Sequence, residues 1–293
     1  MIKVGTWGFW EGLNTEDHFF LGMMKKIYGE SEVVAHNHFD CDVAFIAENY
    51  LPKEIDSSKT RVVSFMAEPK PVDYPNKDIH LYLSFDPTNH MTNNIRLPLW
   101  MTYIDFFSVR NQLNPLLVIN NKEECENNRW IQKEKTKFCV APYSSLVAPR
   151  REFHSVLNSY KKTDGFGLPH GNGDPDRSEI KKYDFISDYR FCMCFENTMK
   201  LGYVTEKLFQ AKTAGCIPIY WGSEYCNSDF NPECFINVSS GGFKDVNEIL
   251  EYIKYIDQNE EEYNRIKKEK LFNYDLNLKL DLIIERFAEK LNI

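Results

Sequence analysis

The sequence contains no apolar run near the roughly 20 residues needed for a membrane-spanning helix, so no helical anchor is expected within it. Its opening, "MIKVGTWGFW", lacks the charged, apolar and small-residue succession of a secretory leader. The expectation is therefore a cytoplasmic protein, with peripheral attachment to the inner face of a membrane left open. A basic surplus is also missing: 35 Lys and Arg stand against 43 Asp and Glu, a net charge of −8. Binding to nucleic acid needs many cations to neutralise phosphates, so no nucleic-acid partner is expected. The eight cysteines, at 41, 125, 139, 192, 194, 216, 226 and 234, form no CxxC pair, which argues against a zinc ribbon. They read as small buried hydrophobes of a reducing compartment. HExxH, Walker and GxSxG motifs are absent. "GFGLPHGNG" imitates a dinucleotide fingerprint, but no apolar strand precedes it. The aspartates of "DCD" (Asp40 and Asp42) sit at a strand entrance. No metal is expected in the chemistry.

What remains is globular composition, 43% hydrophobic and 27% charged over 293 residues. "IKVGTW", "EVVAH", "DVAFIAE", "TRVVSFMAE" and "IHLYLSF" read as strands, and "TEDHFFLGMMKKIYG" as an amphipathic helix closed by Gly29. An Asn- and charge-rich stretch over 110–135 reads as a linker or an exposed helix. "KFCVAPYS" restarts the alternation, and "PRREFHSVLNSYKK" follows it as a helix. Further strands are expected at "YDFISDY", "FCMCFEN", "CIPIYWG" and "CFINVS". "VNEILEYIKYIDQNEEEYNRIKKEK" and "LNLKLDLIIERFAEKL" read as closing helices. The pattern predicts two α/β halves, 1–135 and 136–293, with parallel sheets and a cleft between them. Ligands of such sheets bind at the carboxyl ends of strands.

Candidate chemistry therefore lies in loops that follow strands. Thr205 reads as the N-cap of the helix "EKLFQAKTAG", whose free N–H groups and dipole make an anion site. Lys207 puts a cation in that first turn, where the dipole disfavours it by a few tenths to about 1 kcal/mol. Either an anion offsets that cost or Lys207 is a solvated surface lysine. Arg150 and Arg151 lie in another strand-to-helix loop and either grip a diphosphate or cover a helix surface. Glu68 ends the strand "VVSFMAE", as a general base or as a solvated strand terminus. Trp7 and Trp10 follow the first strand and either stack on a sugar face or belong to the core.

The block "FENTMKLGYVTEKLFQAKTAGCIPIYWG" (195–222) resembles the signature of the α-1,3/4-fucosyltransferases, glycosyltransferase family 10. Glu196, Asn197, Tyr203, Val204, Thr205, Glu206, Lys207, Ala214, Gly215, Pro218 and Gly222 fall in register, and weaker similarity runs over nearly the whole chain. The resemblance implies the GT-B fold, two Rossmann-like domains facing a central cleft, with the acceptor on 1–135 and GDP-sugar on 136–293. It implies inverting transfer of L-fucose from GDP-fucose to an oligosaccharide or glycolipid acceptor, the 3-OH of GlcNAc in N-acetyllactosamine-type chains, without a required cofactor. Arg150, Asn197, Tyr203, Glu206 and Lys207 would hold the donor, Glu68 would be the catalytic base, and Trp7 and Trp10 would face the acceptor. Gly202 stands where the family has Asp, Thr198 where it has Ser, and "AEPK" where it often has "GEN". Alternatives are a GT-B transferase using another GDP-deoxysugar, or a glycan-binding protein without catalysis.

Overall fold

The computed structural model describes the chain except residues 11–12, 70–75, 88–92, 105, 108–128, 144–146, 166–178, 240–241 and 293. Two compact units emerge: Met1–Pro115 together with Tyr274–Ile293, and Leu116–Asn273. The boundary expected near residue 135 thus falls inside the second unit, and the last helix returns to the first. Most of the 110–135 stretch and all of "GFGLPHGNG" after Gly165 lie outside the described residues.

In the first unit, β1 (Ile2–Trp7) is followed by helix α1 (Phe19–Tyr28). Then come β2 (Val33–Ala35), β3 (Val43–Ala47), β4 (Arg61–Met66), β5 (Leu81–Ser84) and β6 (Asn94–Arg96). All pair in parallel, in the order β2-β1-β3-β4-β5-β6. Every residue of β3 and all but the first of β4 are buried, as expected of parallel strands covered on both faces. Helix α1 starts later than its apolar pattern suggested, because His18 caps it, Nδ1 accepting from Leu21 N–H at 3.2 Å. Burial lowers the pKa of His18 to about 4, so the ring is neutral and can act as that acceptor.

The second unit contains α2 (Arg129–Gln132), β7 (Lys137–Val140), α3 (Ala148–Asn158), β8 (Thr163–Asp164) and α4 (Glu179–Ile186). They are followed by β9 (Tyr189–Phe195), α5 (Glu206–Thr213), β10 (Ile217–Trp221), α6 (Cys226–Asp229) and β11 (Ile236–Asn237). Helices α7 (Val246–Gln258) and α8 (Glu260–Lys268) complete it. Its parallel sheet runs β11-β10-β9-β7-β8. Two sequence expectations are corrected here. "YDFI" is the end of α4, not a strand: Tyr183 and Ile186, three apart, are both buried, and Tyr183 packs on Trp130. The long closing helical pattern is two helices, broken at Asn259, whose backbone leaves the helical region and whose side chain accepts from Glu262 N–H.

The final helix, α9 (Leu276–Leu291), buries Leu280, Ile283, Ile284 and Phe287, and Phe287 stacks on Phe45 of β3 at 6.0 Å. The seven described cysteines are all buried and none is in a disulfide. Among the described residues, no helix is long and apolar enough to cross a membrane, and no group of three His, Cys, Asp or Glu is placed to hold a metal.

Candidate donor and base sites

The strand orders locate the sites. From β7 the chain passes to β8 on one side and then to β9 on the other, so the order reverses between β7 and β9. Loops diverge at such a point and leave a crevice at the strands' carboxyl ends. The loop after β7 carries Tyr143 and leads into Arg150 of α3. The loop after β9 begins at Glu196 and runs to α5. The residues singled out as donor contacts gather here.

Arg150 is 2% exposed. Its Nη2 donates to the Phe195 carbonyl at 2.8 Å and to Asn197 Oδ1 at 2.6 Å, and its guanidinium lies 4.1 Å from the Tyr143 ring centre. Burial lowers the Arg150 pKa against the opposing pull of Tyr143 and Glu196. Asn197, expected to touch the donor, has its oxygen on Arg150 and orients that side chain. Tyr203 is buried, at 2% exposure.

Lys207 Nζ donates to Glu196 Oε2 at 3.0 Å and Thr205 Oγ1 at 2.8 Å, with Glu206 Oε1 at 3.9 Å. Burial pushes the Lys207 pKa down, but Glu196 and Glu206 outweigh it and the net shift is upward. Burial pushes Glu206 up, yet Lys207 and Lys182 carry it below the usual carboxylate value. Both groups are thus held in their charged forms.

Thr205 occupies the N-cap position, as expected, but its side chain makes no capping bond. Its hydroxyl is within 3.0 Å of both Glu196 oxygens instead, and its N–H donates to Glu196 Oε1 at 2.8 Å. The first turn of α5 therefore has no side-chain cap from Thr205. The far end of α5 is secured. Gly215, at φ +76, closes it with Cys216 N–H on Ala211 O, and half-buried Lys135 donates to Ala214 O, Trp130 O and Ser187 O. Gly202, the departure from the family pattern, sits at φ +77 and donates its N–H to Ser223 Oγ at 2.9 Å. That left-handed backbone is the physical reason for glycine there.

Glu68 and the two tryptophans belong to the first unit, whose own order reverses between β1 and β3. Glu68 follows β4 and is exposed. Its N–H and that of Ala67 donate to Glu48 Oε1 at 2.8 and 3.0 Å. Glu48 and Asn49, at the end of β3, both have positive φ, 54° and 65°. Such non-glycine conformations cost about 1–2 kcal/mol each and persist where surrounding bonds fix them. Sequence reasoning gave Glu48 no role, and no local pattern ties it to Glu68. Trp7 is committed to packing: it stacks on Phe39, joins the apolar cluster around Ile46, and covers Gly5 so closely that a Cβ there would lie 2.1 Å from its ring. Trp10 is 50% exposed.

Comparison with known proteins yields a family match that contains these candidate donor-site residues. The family described as Glycosyltransferase family 10 (fucosyltransferase) C-term matches residues 103–273. Alpha-(1,3)-fucosyltransferase FucT of Helicobacter pylori is 40% identical over 130 residues, covering 44% of this chain and 26% of that protein. GDP-fucose protein O-fucosyltransferase 3 of Gallus gallus is 25% identical over 199 residues, covering 64% of this chain and 40% of that one. The chain thus spans less than half the length of these curated relatives. A solved structure of an α1,3-fucosyltransferase with GDP-fucose superimposes with a TM-score of 0.70, covering all of this chain and 90% of the other at 22% identity, a likeness of fold. With two parallel-sheet units of the GT-B type and a family match over more than half its length, the chain belongs to glycosyltransferase family 10.

Proposed function

We propose that the protein transfers L-fucose from GDP-fucose to a hydroxyl of a glycan acceptor. The observation that carries this reading is the cluster at the β7/β9 crevice. Arg150 and Lys207 are held charged in a largely desolvated setting, beside a helix start without a threonine cap, inside the family-matched region. A binding module for glycan alone has no need of two fixed cations there. A nucleotide diphosphate does, and so does its departure: breaking the C1–O bond places negative charge on the leaving phosphate, which preorganised cations stabilise.

The transfer is inverting in this reading. The acceptor oxygen attacks C1 of fucose from the face opposite GDP while a base removes its proton. Glu68, solvent-exposed with its backbone fixed by Glu48, takes that role. Glu206 contacts sugar or ribose hydroxyls, and Trp10 rather than Trp7 offers a stacking face to the acceptor. The acceptor proposed is the 3-OH of GlcNAc in N-acetyllactosamine-type chains, on an oligosaccharide or glycolipid, with no added cofactor. Gly202 is explained by its backbone conformation, so the departure there does not call for a different donor sugar. Titrating GDP-fucose and GDP-mannose into the protein, followed by transfer assays on N-acetyllactosamine, tests the reading. Selective GDP-fucose binding with transfer to GlcNAc supports it; equal binding of the two donors would withdraw the fucosyl assignment.

A further inference from the structure

Glu196 is wholly buried, at 0% exposure, and lies at the centre of the cluster. Its carboxylate accepts from the Thr205 N–H and hydroxyl and from the Lys207 ammonium. An unpaired carboxylate at such depth is strongly unfavourable, so Lys207 is its required counter-ion. The surroundings are shaped around it: a Cβ on Gly222 would lie 2.7 Å from Glu196 Cγ and 2.5 Å from Tyr220 Oη. Only glycine at 222 leaves room for the Glu196 side chain without displacing its neighbours.

The pair is asymmetric. Lys207 keeps 20% side-chain exposure while Glu196 has none. Two of the three ammonium N–H groups are taken, by Glu196 and Thr205, which leaves one for a ligand. A lysine otherwise samples many rotamers, and fixing one costs conformational entropy. Here folding has already fixed it. We infer that Glu196 is a positioning residue for the donor diphosphate: it aims the Lys207 ammonium at the leaving phosphate without touching the substrate itself. This rests on the donor-binding reading given above.

The charged groups facing Lys207 are Glu196, Glu206 and Arg150. Glu196→Gln keeps the shape and removes the charge. Lys207, still cationic, can reach a bound diphosphate, but from a position that is no longer set. The expected result is a split: GDP affinity within about threefold of wild type by calorimetry, and kcat lower by roughly 10- to 100-fold, the scale on which misplacement of a catalytic group acts. The alkaline limb of the kcat profile should also move to lower pH, because Lys207 loses the neighbour that holds its proton. Simple space-filling would move neither. Should Glu196→Gln fail to fold, Glu196→Asp retains the charge with a shorter reach. It should lower kcat while leaving the alkaline limb in place. Wild-type kcat in whichever variant folds overturns the inference alone. Absence of GDP binding by the wild-type protein would instead sink the donor reading and this inference with it.

Discussion

Replacing Lys207 with methionine should damage stability and nucleotide binding together, on a scale set by the burial of its partner Glu196. The Lys207–Glu196 pair spans 3.0 Å, with Glu196 wholly buried. At an effective dielectric constant near 20, charges at such a separation attract by about 5 kcal/mol. Removing one partner of a buried pair is known to cost roughly 3–5 kcal/mol, because the other charge is left in place without compensation. That is a large share of the 5–15 kcal/mol by which domains are stable. For a domain of this size it corresponds to a fall in melting temperature on the order of 10 °C. Binding loses a charge-assisted contact worth about 1.5–3 kcal/mol, which raises the GDP dissociation constant roughly 10- to 100-fold. Stability is read by urea denaturation and binding by calorimetry. The double variant Lys207→Met, Glu196→Gln separates the two effects. It removes the stranded charge and should recover at least about 2 kcal/mol of stability, while GDP binding stays weak. A single variant as stable as wild type, or a double variant less stable than the single, would refute the account of the pair.

Other outcomes follow from the same geometry. Glu68→Gln should bind GDP-fucose normally and transfer at least about 100-fold more slowly in a radiolabel assay; normal transfer places the base elsewhere. Gly202→Ala should cost about 1–2 kcal/mol in denaturation experiments, since a Cβ is strained in the left-handed backbone at φ +77. Arg150→Lys should weaken GDP binding despite keeping the charge, because an ammonium cannot reproduce the guanidinium's fixed geometry on Phe195 O, Asn197 and the Tyr143 ring. His18 has its pKa lowered from 6.5 to about 4 by burial. The unfolded chain then binds more protons than the folded one between those values, so this contribution is intact above pH 6.5 and lost as pH falls towards 4. It amounts to about 3 kcal/mol. Melting temperatures of His18→Asn, which keeps a capping acceptor, should fall less over that range than those of wild type.

Strands such as β3, β4, β9 and β10 were legible because each is a short, continuous apolar run, the mark of a parallel strand buried on both faces. "YDFISDY" carries the same mark yet ends a helix, since a run of that length does not distinguish the two and packing of Tyr183 on Trp130 decided it. The return of α9 to the first unit was not legible: its amphipathic pattern announces an apolar face but not which sheet that face covers. In the candidate donor site, Arg150 and Lys207 were readable as cations where a strand gives way to a helix. Their partners were not. Glu196 lies eleven positions before Lys207 across an irregular loop, and Tyr143 and Asn197 meet Arg150 only because β7 and β9 are neighbours. Glu48 reaches Glu68 through the pairing of β3 with β4. Side chains joined by sheet pairing leave no periodic trace in a sequence.

In the proposed reading, the β7/β9 crevice binds the diphosphate of a GDP-sugar through Arg150 and Lys207. Calorimetric titration of GDP, and separately of guanosine, into the wild-type protein tests it most directly. GDP should bind more tightly than guanosine by at least about 100-fold, two charge-assisted contacts being worth several kcal/mol. Equal affinities for the two would mean that the cations serve the fold alone and that the crevice is not a diphosphate site.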